Sequence, residues 1–201
     1  MKKWCAMLLA VVMAAMTLAG CSPSDEDLLE GKWTATVDLA LAYEDLLARA
    51  DATVAAHIDL SEFDVELTMR FEDDGTYRLK ADGEALAAGA ARMEDAIRQG
   101  MATYLQAQTG KTMDNLLSAT GMTMDEVMNR YFAEDLTAAI RKNLEAKGTY
   151  KLSGGKLILM DEDGSKVFEG RYDVDEDELK LKSGVTRALI ASLLPLTLER
   201  D

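Results

Sequence analysis

Cysteine and histidine are the side chains in this 201-residue sequence best suited to covalent or proton-transfer chemistry, and both are scarce. The cysteines are Cys5 and Cys21, and Cys21 closes the run Leu18-Ala19-Gly20-Cys21. Its thiol is the best nucleophile available, because a hydroxyl needs a base beside it to react. His57 is the single imidazole, and it ends a helical pattern where a cation complements the helix dipole. The run from Asp161 to Lys166 hints at a calcium loop, but the EF-hand needs glycine at the sixth position, where Lys166 stands. A hairpin turn is the better reading. With 36 acidic residues no carboxylate pair stands out as a glycosidase pair. The sequence has no glycine-rich phosphate loop and no His/Cys metal spacing. The expectation is a protein without enzymatic activity, metal or cofactor, in which Cys21 is the residue that reacts.

The residues before Cys21 explain why it would. Lys2 and Lys3 precede the apolar run from Ala6 to Ala19, and no acid occurs in the first twenty residues. That run falls short of the roughly 20 apolar residues needed to cross a bilayer as a helix. It fits a secretory signal with small residues at its end. Leu18-Ala19-Gly20-Cys21 resembles the lipobox of bacterial lipoproteins. The resemblance implies cleavage between Gly20 and Cys21, a diacylglycerol on the thiol, and a chain held on a membrane outside the cytoplasm. The alternative is an ordinary secretory signal with an incidental cysteine. Cys5 would leave with residues 1–20, and a lone exported thiol argues for the lipid. Ser22 rather than Asp after the cysteine resembles outer-membrane sorting where two membranes exist; otherwise the cell membrane is expected.

Charge narrows the partners. The net charge is −14, and loss of Lys2 and Lys3 with the signal takes it to −16. A surface this acidic repels nucleic acid and anionic headgroups, so no nucleic-acid partner is expected. Residues 21–30 read as an acidic linker, able to reach roughly 30 Å at about 3.3 Å per residue. Residues 31–201 suffice for one domain with a core.

Period-two alternation over that span predicts strands near 31–39, 62–72, 76–81, 148–153, 156–161, 165–172, 178–182 and 195–200. Asp74-Gly75, Gly154-Gly155 and Asp163-Gly164 supply tight turns. Between strands three and four, residues 84–147 switch to helical spacing. Leu86, Ala90, Met93, Ile97, Met101 and Leu105 form one ladder, and Met124, Met128, Phe132, Leu136, Ile140 and Leu144 another. A repeat, Thr109-Gly110-Lys111-Thr112-Met113-Asp114 and Thr120-Gly121-Met122-Thr123-Met124-Asp125, reads as recurring helix caps, with Thr123 and Glu126 as a capping box. A repeated ligand-binding element is the other reading.

Gly31-Lys32-Trp33 at the first strand, Phe71 to Tyr77, and the rhythm from Tyr150 to Leu181 resemble lipocalin-like bacterial lipoproteins. The resemblance implies an α+β fold: an eight-stranded antiparallel lipocalin-like β-barrel with a helical insertion between strands 3 and 4 capping one end. Parity adds to this. In a meander, connections alternate between barrel ends, so tight turns should close one end and helices roof the other. The first strand starts at the tight end, which would face the membrane. Methionine concentrates in the insert, and such side chains adapt to apolar partners. A small apolar ligand held in the capped barrel, near Trp33, Met93, Met101, Met124, Met128 and Phe132, is the first functional expectation. The alternative is a filled barrel whose cap docks an envelope protein, with the methionines packing the cap onto the barrel.

Overall fold

The computed structural model describes residues 23–60, 63–131 and 135–201. Strand β1 (Gly31–Asp38) is followed by helices α2 (Leu39–Ala50) and α3 (Ala52–Ala55). Strands β2 (Asp64–Phe71) and β3 (Thr76–Ala81) form a hairpin. Helices α4 (Gly83–Thr109), α5 (Met113–Thr120), α6 (Met124–Tyr131) and α7 (Leu136–Leu144) come next. The chain returns through β4 (Ala146–Ser153), β5 (Lys156–Asp161), β6 (Lys166–Val174) and β7 (Glu178–Thr186), then α8 (Ala188–Ser192) and β8 (Leu196–Arg200). A short helix, α1 (Asp25–Leu29), precedes the first strand.

The strands pair in sequence order and close by β1 against β8, where Trp33 faces Arg200 and Thr34 faces Glu199. Every pairing is antiparallel. The expected α+β architecture, an eight-stranded antiparallel barrel with helices between strands three and four, is the observed one. Alternation is the cause: Val65, Leu67, Met69 and Phe71 are buried on β2, while Asp64, Glu66 and Arg70 are exposed. Turn chemistry holds the register. Gly75 adopts φ +79°, and the Asp74 carboxylate accepts from Thr76 N at 2.9 Å and Oγ1 at 2.6 Å.

The two barrel ends differ as parity requires. Short turns join β2 to β3, β4 to β5 and β6 to β7 at one end. At the other, α2, α4, α7 and α8 form a roof, with Leu39, Leu86, Ile140, Leu144 and Leu189 buried in the same cluster as the strand residues. Gly89 lets α4 lie directly on Phe63; a Cβ there would sit 1.9 Å from the ring.

Three boundaries differ from expectation. The stretch read as linker is not extended from Ser24 onward. Ser24 caps α1 through a reciprocal box, its Oγ accepting from Asp27 N at 3.2 Å while its own backbone N donates to the Asp27 carboxylate at 2.9 Å. Leu29 then buries completely, so local capping and one apolar anchor override the acidic composition. The helical pattern that ends at His57 breaks at Asp51, whose carboxylate caps α3 instead. Strand β7 runs past Lys182 to Thr186, because Gly170 and Gly184 allow the backbones of β6 and β7 to meet closely. The capping box at Thr123 is observed, Thr123 N donating to Glu126 Oε2 at 2.7 Å and Glu126 N to Thr123 Oγ1 at 3.2 Å.

Candidate functional site

Trp33 occupies the tight end, not the roof. It is fully buried and its Nε1 donates to Leu29 O at 2.8 Å. The Arg200 guanidinium lies over the indole, 4.3 Å from the ring centroid. The same guanidinium donates to Glu30 O at 2.9 Å, to Glu176 O at 2.6 Å and to Leu28 O. Tyr172 adds a hydrogen bond from its hydroxyl to Asp25 at 2.6 Å. These bonds seat α1 as a plug and use the whole polar capacity of the indole. Five residue steps along the strand separate Trp33 from Asp38 at the roof, about 17 Å at roughly 3.3 Å per residue. Trp33 therefore does not share a site with the insert's methionines.

Met93 is buried in the core, and Met101 and Met124 are half-buried against it. The Met128 side chain, Phe132, Gly20 and Cys21 lie outside the described residues. Under the roof, Leu67, Met69, Phe168 and Leu181 of the strands meet Leu144, Ile190 and Leu193 around a void of about 10 Å³. That is the scale of one water-sized sphere. Bulky Leu, Met and Phe side chains from both layers interdigitate around it. His57 meets Tyr104 in a tilted ring contact with centroids 5.7 Å apart, and its backbone lies against Gly100.

A different feature emerges on the outer wall. A groove of about 780 Å³ runs across β2 to β5, lined by Arg70, Arg78, Lys147, Thr76 and Thr149 with Glu72 and Glu162. A second recess of about 630 Å³ shares Arg78, Lys147 and Asp161 with it, and adds Lys80, Lys142, Glu145 and Arg187. Register explains the cations. Lys32 pairs with Arg70, Arg70 with Arg78, and Arg78 with Lys147, so four positive side chains stand directly opposite one another over four adjacent strands. Like charges so placed are destabilising. Three of them have acidic partners: Lys32 with Asp201, Arg70 with Glu72 at 2.7 Å, and Lys147 with Glu162 at 3.0 Å. Arg78, in the middle, and Lys80, two residues on along the same face, are exposed, and their side chains make no hydrogen bond or ion pair with any described residue.

On the inner side of the same wall, Tyr77, Gly148 and Asp161 stand in register. A Cβ on Gly148 would come within 2.0 Å of Met160 O, so no side chain fills the gap between its neighbours. Arg187 pairs with Asp161 at 2.7 Å and donates to Lys142 O at 3.1 Å and Glu145 O at 3.0 Å, satisfying carbonyls at the end of α7. The Tyr77 hydroxyl is buried with no hydrogen-bond partner among the described residues. Burial raises its pKa well above the ordinary value of 10.0, the Asp161 carboxylate raises it further, and Arg187 opposes both.

Sequence reading missed this cluster, since the cations lie far apart along the chain and only strand register assembles them. The one signal available was the outward phase of Lys32, Arg70, Arg78 and Lys80 in strands whose alternation was already legible. Among the described residues no group of His, Cys, Asp and Glu is arranged to hold a metal, and no helix is long and apolar enough to cross a membrane. Comparisons with family models, curated proteins and solved structures give no match.

Proposed function

We propose that this protein is a lipid-anchored, extracytoplasmic lipoprotein without enzymatic activity, whose filled barrel is a rigid interaction module of the cell envelope. The observation that carries the second half is the 10 Å³ void beneath the roof, too small for an apolar ligand of even a few carbon atoms. The methionines support it, because Met93, Met101 and Met124 pack the helices onto the barrel.

The anchor rests on Leu18-Ala19-Gly20-Cys21, with cleavage before Cys21 and acylation of its thiol. Two or more acyl chains give stable attachment, where one gives only marginal binding. Because α1 is seated on the tight end, only the three steps from Cys21 to Ser24 remain as a spacer. At full extension they reach about 10 Å. The tight end would then lie close to the bilayer, with the helical roof presented outward to an envelope partner.

Two measurements on protein from its own cells test the reading. Native mass spectrometry should give a chain starting at acylated Cys21 with no other apolar molecule bound. A stoichiometric co-purified apolar metabolite, displaceable by an apolar dye, would replace the interaction module with a ligand carrier. Cys21→Ser should move the chain from the membrane to the soluble extracytoplasmic fraction. Membrane retention of that variant would refute the anchor.

A further inference from the structure

We infer that the outer groove over β2 to β5, together with the recess that shares Arg78 with it, is a binding site for a small phosphorylated molecule, with Arg78 from both and Lys80 from the recess as its phosphate contacts. The inference does not depend on the lipid anchor. Its basis is the placement of unneutralised positive charge in a chain that carries 36 acids against 22 bases. Acids are plentiful enough to pair every cation, and around the groove they pair Arg70, Lys147 and Arg187. Arg78 and Lys80 stand apart from that pattern.

Their geometry suits a phosphate. Arg78 faces Arg70 on one side and Lys147 on the other, a repulsive placement that a bound anion would relieve. Guanidinium offers a planar fork that grips phosphate by two bonds, and an ammonium adds a point charge beside it. Outward residues at Arg78 and Lys80 are about 7 Å apart along the strand, which lets one dianionic group or two linked ones engage both. The groove's 780 Å³ lies within the range of small-molecule sites.

A phosphate-bearing bilayer is the other source of the same chemistry. The shape favours the small molecule, because the cations line a recess.

The test uses the full chain in nonionic detergent, titrated with inorganic pyrophosphate at low salt and followed by calorimetry. One saturable site is expected, weakened at least about tenfold by Arg78→Gln and less by Lys80→Gln, and unchanged by Lys151→Gln, a cation outside the groove. Arg78→Gln should also raise the thermal midpoint of the unliganded protein, because it relieves the like-charge row, so lost binding cannot be assigned to unfolding. Equal weakening by all three variants would mean diffuse charge attraction and overturn the site. Binding to phosphatidylglycerol vesicles that needs Arg78, without binding of pyrophosphate, would overturn the small-molecule ligand. No saturable binding to either probe would overturn the inference altogether.

Discussion

Arg200 carries more structural responsibility than its exposure suggests. One guanidinium covers the Trp33 ring and satisfies carbonyls from α1 and from the turn between β6 and β7. Arg200→Ala should cost about 2 kcal/mol, combining a cation–π contact and charged hydrogen bonds discounted for exposure. Chemical denaturation would measure it, and faster proteolysis near Leu28 should accompany it as α1 loosens. Tyr77 makes the opposite case. Its buried hydroxyl has no partner among the described residues, so Tyr77→Phe should stabilise the fold by about 1 kcal/mol. A loss of stability in that variant would show that the hydroxyl is hydrogen-bonded in solution.

At the scale of elements, the roof depends on close approach. Gly89 and Gly100 face Phe63 and the His57–Ile58 backbone with no space for a side chain. Helix propensity alone predicts that Gly89→Ala gains about 1 kcal/mol. The Phe63 ring at 1.9 Å from the new Cβ predicts the reverse, and overpacking of this kind costs about 1–3 kcal/mol. The packing term should win, leaving a net loss that thermal unfolding would detect. A net gain would mean that α4 shifts freely on the barrel. The paired caps of α5 and α6 belong to this scale as well. Thr112 and Thr123 each accept from the third residue on, Asn115 N at 3.4 Å and Glu126 N at 3.2 Å, which explains the internal repeat as helix-start chemistry.

For the whole molecule, charge sets the response to pH. Asp51 is held below its ordinary value of 3.8 by hydrogen bonds from Thr53 and from Val54 N, and Asp74 by the Thr76 hydroxyl and backbone N. Asp163 and Asp175 are lowered in the same way within their turns, and Glu169 by Lys166 and Lys156. A carboxyl with a depressed folded value stabilises the protein above its unfolded value. That contribution disappears as pH falls through the folded one. Relief of the net negative charge on acidification acts in the opposite direction, so absolute stability is a poor readout. The stability difference between the native sequence and Asp51→Asn or Asp74→Asn isolates the effect. It should be full at pH 6 and shrink below about pH 4; a difference that stays constant down to pH 3 would show that these bonds contribute nothing.

Alternation at Trp33 to Leu39 and Phe63 to Phe71, turn residues at Asp74-Gly75 and Gly154-Gly155, and the helical ladders through Met93 and Ile140 were sufficient to determine an eight-stranded barrel with a helical roof. They suffice because each is a local pattern whose period decides the backbone, and because the parity of a meander turns connection lengths into barrel ends. The site was not local. Whether Leu67, Phe168 and Leu193 leave a cavity depends on how side chains from both layers fill common space, and the 10 Å³ void is a property of that packing. Likewise Lys32, Arg70, Arg78 and Lys147 are ordinary outward residues until strand register sets them side by side. Their adjacency is a long-range fact, fixed by which strands hydrogen-bond and in what phase, and only the tertiary structure decides it.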